Sequence, residues 1–336
     1  MAGGLLAIAV VFLLDHAQAL LLPVTVAVVF AFVLAPPVRA LAARGVPPYV
    51  GAGFVVAASL GLVAVVGALV AAPAAAWWAR APEILQALLE AVQRWRDALF
   101  PYAAPAALGQ GAETVGIAER LATEGWTFTR LAIGETVAFA VSASATVILL
   151  FFLLASEQWL VARTVSAIRR RRTRARLLGA LQEAGRDIGR FIGAMGIINA
   201  ALGAVTGLVL WWIGLPNPLL WGVTTAVLAF VPYLGPLLIA LLLLAAGSVA
   251  FGTGAAMLGP PAAFLALHGI EANFLSPVFM GHRLRLPALF VFLSVLVWGW
   301  LWGVAGTFIA VPMLLALRAA ARRFRRLQPI AAYLDP

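Results

Sequence analysis

About eight stretches of this chain are apolar for long enough to cross a bilayer, at roughly 4–20, 22–38, 50–74, 136–158, 191–213, 219–247, 255–277 and 287–317, taking about 20 residues as the requirement for a spanning helix. No single aqueous core can bury that many such runs. With 64% hydrophobic residues, 11% charged ones and a mean hydropathy of +1.03, most of the folded surface must be solvated by lipid. The expected fold is an all-α polytopic membrane protein, and the lipid bilayer is its first partner. The first run lacks a basic stretch before it and passes almost directly into the second, so it reads as a retained helix rather than a cleaved signal peptide.

All 23 basic residues are arginine, which reflects base bias more readily than nucleic-acid chemistry, and no nucleic-acid partner is expected. Their placement carries the topology. Arg39 and Arg44 follow the second segment, Arg163, Arg169–Arg172, Arg174 and Arg176 follow the fourth, and Arg318 to Arg326 follow the last. By the positive-inside bias these loops face the cytoplasm, as do both termini, in a multi-pass membrane protein. Between segments three and four, Trp77 to Glu135 holds five arginines against six glutamates and one aspartate, which places it outside. The chain thus divides into N-terminal transmembrane helices (1–76), an extracytoplasmic helical segment (77–135), a transmembrane helix (136–159), a cytoplasmic arginine-rich amphipathic segment (160–190), a C-terminal transmembrane transport region (191–317) and a cytoplasmic tail (318–336).

Two amphipathic stretches flank the spans. In the outer segment Trp78, Leu85, Leu88, Val92, Trp95 and Leu99 form one helical stripe, and Glu90 and Arg94 pair at i,i+4. That helix lies on the membrane or on a partner subunit, or serves as a lid over a substrate. On the inner side Leu177, Leu178, Leu181, Ile188, Phe191 and Ile192 alternate with charges, after an arginine cluster suited to anionic lipid. Gly185, Gly189 and Gly193 add a ridge of small residues suited to close helix packing. A homo-oligomer is expected from the ridge and the outer helix.

Three motifs occur in order in the carboxyl half: "FVPYLGPLLI" with Pro232, Gly235 and Pro236; "GIEANFLSPVFMG" with Glu271, Asn273, Leu275, Pro277 and Gly281; and "GVAGTFIAVP" with Gly303, Gly306, Ala310 and Pro312. Together with "LLPVTVAVVFAFVLAPPVRAL" near the start and "FFLLASEQ" at the end of the fourth span, this combination resembles the autoinducer-2 exporter family of bacterial inner-membrane transporters. Ala272 and Ala155-Ser156-Glu157 depart from the usual pattern, which more often has a polar residue at the first and an acidic pair or Arg-Asp-Gly at the second. The resemblance implies a secondary transporter or exporter of a small solute, with family members linked to efflux of a furanone-derived signal and others to sodium/proton exchange.

Independently of that resemblance, the chain has no cysteine and therefore no disulfide, thiol nucleophile or cysteine-bound metal. Neither a Gly-rich phosphate loop with Lys-Ser/Thr, an HExxH nor a Gly-x-Ser-x-Gly motif is present, and the three histidines lack metal-ligand spacing. No enzyme activity, cofactor or metal site is expected. The readings left open are solute export, sodium or lithium/proton antiport, and a non-transporting membrane scaffold.

The segments 219–247 and 287–317 are too long. A straight helix from Leu219 to Gly247 would measure roughly 43 Å against a hydrocarbon core of about 30 Å. Pro232, Gly235 and Pro236 interrupt the first, and Gly299, Gly303, Gly306 and Pro312 the second. Broken backbone in lipid is costly unless it faces protein or a wet cavity, and interrupted helices placing main chain at mid-depth are a transporter device. Re-entrant hairpins are the expectation, since they put His282, Arg283 and Arg285 inside in keeping with the arginine bias; single kinked spans are the alternative. Helix breaks are accordingly assigned to Pro232, Gly235, Pro236, Pro277, Gly281, Gly303, Gly306 and Pro312.

The transport or ion-coupling candidates are Glu271, His268, Asn273 and Tyr233. Glu271 stands in or at the end of an apolar segment, where a charge needs a partner, water or a proton. His268, three positions earlier on the same helix face, is placed to share that proton or help hold a cation. The alternative is that Glu271 and Asn273 cap the break before Ser276-Pro277. Tyr233 offers a hydroxyl and ring at the proline break, or sits at the lipid–water boundary. Asp15 and His16 read as interfacial, Glu157 as an anchor near Arg163, and Trp298, Trp300 and Trp302 as a packing or interfacial patch.

Overall fold

The computed structural model describes residues 9, 12–14, 16–81, 83, 86, 90, 93–94, 140–157, 159–163, 166–168, 170–252, 254–275, 278, 286–324 and 327–335. Among them every regular element is helical. In chain order they are α1 (Gln18–Ala42), α2 (Pro48–Ala79), α3 (Ala140–Glu157), α4 (Arg171–Ile213), α5 (Pro218–Leu228), α6 (Leu234–Phe251), a 3-10 turn (Ala255–Leu258), α7 (Gly259–Ile270), a π-turn (Glu271–Leu275), α8 (Ala288–Arg323) and α9 (Gln328–Leu334). Six of these, α1, α2, α3, α4, α6 and α8, are long and apolar enough to cross a membrane. The all-α polytopic class is what the hydropathy predicts. Most of the run at 4–20, Asp15, the outer stripe from Leu85 to Leu99, the loop His282–Arg285, Pro277 and Gly281 lie outside the described residues.

Two compact units divide the chain: one takes in residues up to Val63, 140–197 and from 276 onward, the other 64–139 and 198–275. The long helices α2 and α4 run through both. α4 is one continuous 43-residue helix, fusing the amphipathic stretch and the fifth span.

In the first unit, small residues let α1 serve two clusters. Ala27, Ala35 and Val38 pack with Ala52, Val55 and Val56 of α2 and Leu150 and Leu154 of α3, while Val29 joins Ala184 and Ile188 of α4 and Val311, Leu315 and Ala319 of α8. Two members of the glycine ridge are used here. A methyl on Gly185 would meet the Phe32 ring at 2.8 Å, and one on Gly189 the Phe32 carbonyl at 2.9 Å. Close backbone approach of this kind holds helices together where lipid removes the hydrophobic drive. The ridge positions Gly185 and Gly189 therefore serve packing within the chain.

α8 is not a straight rod. Its φ/ψ values leave the helical region at Trp302 (φ −128°, ψ 19°) and Gly303 (φ 59°, ψ −141°), a left-handed φ that glycine adopts without a Cβ penalty. On either side the chain runs antiparallel to itself. Gly306 lies against the Trp298 carbonyl, a methyl on Gly299 would meet Thr307 at 2.9 Å, and Ser294 Oγ donates to the Ala310 carbonyl at 2.8 Å. A straight helix would hold Ser294 and Ala310 about 24 Å apart. α8 is a helical hairpin with its tip at Trp302–Gly303. Trp302 is buried there and its Nε1–H donates to the Leu14 carbonyl at 3.1 Å, with Leu21, Leu22 and Val26 of α1 around it. Trp298 packs on Trp302 at 4.8 Å between ring centroids, whereas Trp300 is exposed.

The second unit carries the other break. α5 ends at Leu228 and α6 starts at Leu234, and Gly235 lies against the Leu228 carbonyl seven residues behind it. Such contact requires the chain to double back. The core beneath it joins Leu202 and Leu210 of α4, Leu220 and Trp221 of α5, Ile239, Leu243 and Ala246 of α6, Phe264 of α7 and Trp77 of α2, with Trp77 edge-on to Trp221 at 5.1 Å.

Candidate functional site

The turn between α5 and α6 is built by proline and a strained tyrosine. Tyr233 has φ 64° and ψ −53°, and the Leu234 N–H donates to the Pro232 carbonyl at 2.7 Å, which together define a γ-turn of the rare positive-φ kind. A non-glycine residue held there costs on the order of 1–3 kcal/mol. The strain sits at a half-exposed side chain at the tip of a hairpin. Pro236 behaves differently from a helix breaker: it occupies the first turn of α6, where its absent N–H had no intrahelical partner to lose.

His268 and Glu271 come together on α7 and the π-turn that continues it. α7 opens with Pro260 and Pro261 in its first turn, and Phe264, fully buried, stacks on the His268 ring at 5.7 Å with planes 8° apart. One turn later the hydrogen-bond ladder widens at Glu271–Leu275, a local change that occurs often at functional sites. His268 Nδ1 stands 3.2 Å from Glu271 Oε2. Among the described residues His268 Nδ1 has no hydrogen-bond partner, so its contact with Glu271 is electrostatic, an ion pair only with a protonated imidazole. Glu271 is only 8% exposed.

This pair can hold one proton at no net charge, as imidazolium with carboxylate or as imidazole with carboxylic acid. Asn273 has a different task. Its Nδ2 donates to the Gly269 carbonyl at 2.7 Å, satisfying a backbone acceptor where the ladder widens, as in the capping alternative.

The remaining break residues belong to the first unit: Gly303 forms the tip of α8, Gly306 lies at the close contact between its arms, and Pro312 is buried in the returning arm. His16 is exposed and stacks on Phe12. Arg163 lies over the Trp159 ring at 5.8 Å, while Glu157 lines a cleft of about 150 Å³ with Val28, Phe32, Ala35 and Leu153. The outer pair Glu90–Arg94 forms at 3.8 Å.

Two groups escape a reading by sequence pattern. Arg318 is 1% exposed and faces Asp187 of α4 at 3.5 Å; Arg322 and Arg323 reach Glu183 at 3.1 and 3.0 Å, and Arg322 Nε donates to Asp335 at 2.9 Å. Arginines that mark topology in the sequence here clasp α8 to α4 and to the chain after α9. Continuation of the buried stripe Val311–Leu315 into Arg318 is the signal for it. The second group is Asn199, Thr206 and Thr225, buried polar side chains in apolar helices.

Comparison with known proteins places a chain with these hairpins and this carboxylate–imidazole pair in a family. The profile of the AI-2E family transporters matches residues 4–326. The chain belongs to that family. The AI-2 transport protein TqsA of Escherichia coli (strain K12) is 30% identical over 162 residues, 47% of this chain and 46% of that one. YrrI of Bacillus subtilis (strain 168) is 28% identical over 187 residues, covering 55% and 52%, and YhhT of E. coli K12 is 30% identical over 136 residues, covering 40% and 39%. These alignments span about half or less of each relative. As a member of the AI-2E family with six candidate spans, the chain is a multi-pass membrane protein.

Proposed function

We propose that this protein is a secondary transporter that moves a small solute outward across the bacterial inner membrane, driven by an ion gradient. The observation that carries the reading is the His268–Glu271 pair, a buried carboxylate beside a partly exposed imidazole at a π-turn, in the same unit as the α5–α6 hairpin. A proton-binding pair where an α-helix widens into a π-turn fits alternating access, in which a loaded and an empty site must differ in charge or hydration. Membership of the AI-2E family supports transport as the class, and the name of TqsA makes autoinducer-2 a cargo to test.

The same pair favours a second reading, cation/proton antiport, because one buried carboxylate can exchange a proton for Na⁺ or Li⁺. Cytoplasmic termini follow from the arginine bias, and a homo-oligomer remains the expected assembly. Purified protein in liposomes separates these readings. Solute flux that follows an imposed gradient supports export; dissipation of a preset pH gradient by added Na⁺ or Li⁺ supports antiport. No flux of any kind across a broad panel leaves the scaffold reading.

A further inference from the structure

Three polar side chains in the second unit are buried as deeply as any leucine. Asn199 is 2% exposed, Thr206 1% and Thr225 0%, and among the described residues Asn199 Nδ2, Thr206 Oγ1 and Thr225 Oγ1 have no hydrogen-bond partner. Such groups rarely stay unsatisfied in a native fold. A threonine in an apolar helix ordinarily turns its hydroxyl to a carbonyl one turn back, and Thr146 does so, donating to Ser142. Thr206 and Thr225 do not.

Their placement is shared. Helical spacing puts Asn199, Gly203, Thr206, Gly207 and Leu210 on one stripe of α4, and Pro218, Gly222, Thr225 and Ala226 on one stripe of α5. The stripes face each other. A methyl on Gly222 would meet the Gly203 carbonyl at 2.7 Å, one on Gly203 the Ala226 nitrogen at 3.1 Å, and one on Gly207 the Pro218 carbonyl at 3.2 Å. Those pairings run antiparallel, so Thr206 and Thr225 flank the glycine crossing. One turn further in the same register, Asn199 is level with the end of α5, where the chain leaves the helix for the Tyr233 turn.

We infer that the α4–α5 seam binds small uncharged hydroxyl-bearing guests, water or the hydroxyls of a solute, at separate points beside Asn199, Thr206 and Thr225. Amide and hydroxyl groups both donate and accept, as a guest hydroxyl does. All three are neutral, and an ionic guest would need a counter-charge in the seam. The site uses neither His268 nor Glu271 and does not depend on the transport reading.

Because the chain has no cysteine, a single introduced thiol gives an isolated S–H infrared band. In the full-length protein in lipid, Thr206→Cys and Thr225→Cys are expected to convert S–H to S–D rapidly on transfer to D₂O, while Leu243→Cys, in the apolar core of α6, keeps its S–H band. Slowing of that exchange by glycerol identifies a solute hydroxyl as occupant, and no effect of glycerol identifies water. Seam thiols that exchange as slowly as Leu243→Cys overturn the site. A second readout needs no thiol: Thr206→Val with Thr225→Val is expected to lower the unfolding temperature through lost guest contacts, and a rise would likewise overturn it, since it would mean that the hydroxyls were buried without a guest.

Discussion

Ser294 donates its hydroxyl to the carbonyl of Ala310, sixteen residues along the same helix, at 2.8 Å. Only a reversal between them permits this, and Gly303 supplies it. The two arms of α8 are therefore antiparallel. Placing cysteines at Ser294 and Ala310 tests the reversal in the cysteine-free chain. Mild oxidation should form an intramolecular disulfide in high yield, whereas a kinked single span keeps the two thiols far beyond bonding reach.

The contact between the arms also predicts a size limit. Gly306 lies against the Trp298 carbonyl with no room for a side chain. Gly306→Val should force the arms apart and destabilise the protein by about 1–3 kcal/mol, read as a lower unfolding temperature in detergent and a weakened Ser294–Ala310 crosslink. Gly193→Ala, on a helical glycine with open space around it, should leave the crosslink unchanged and should not lower the unfolding temperature.

Arginines of the terminal cluster should differ sharply from one another. Arg318 is buried beside Asp187, and removing one member of a buried pair strands the other, at a cost of roughly 3–5 kcal/mol. Arg322 is about a third exposed, where screening leaves an ion pair worth about 0–1 kcal/mol. Thermal unfolding of Arg318→Ala and Arg322→Ala should show a large fall for the first and a small one for the second. Added salt should narrow the difference between wild type and Arg322→Ala only.

The hairpins were legible because length and chemistry disagreed: segments 219–247 and 287–317 exceed a bilayer, and glycine and proline fall at their centres. Pairing of His268 with Glu271 was legible from helical spacing alone. Proline content did not tell which proline does the breaking, since Pro236 lies in a first helical turn while the reversal runs through Pro232 and Tyr233. Long-range partners were beyond periodicity altogether. Trp302 to Leu14 and Arg318 to Asp187 join residues 288 and 131 positions apart, and an arginine run reads the same whether it meets lipid, water or a buried aspartate. Asn199 and Thr206 were hidden for a related reason, because a polar residue seven positions from another shows a shared face and not what fills it.

The role given to Glu271 is tested most directly by flux into proteoliposomes measured across a range of pH, comparing wild type with Glu271→Gln at equal protein abundance. The glutamine preserves shape and cannot give up a proton. Gradient-driven flux in the variant should fall at least about tenfold, a barrier change of roughly 1.4 kcal/mol, and what remains should no longer vary with pH. Flux in Glu271→Gln that matches wild type in both rate and pH profile would contradict the account.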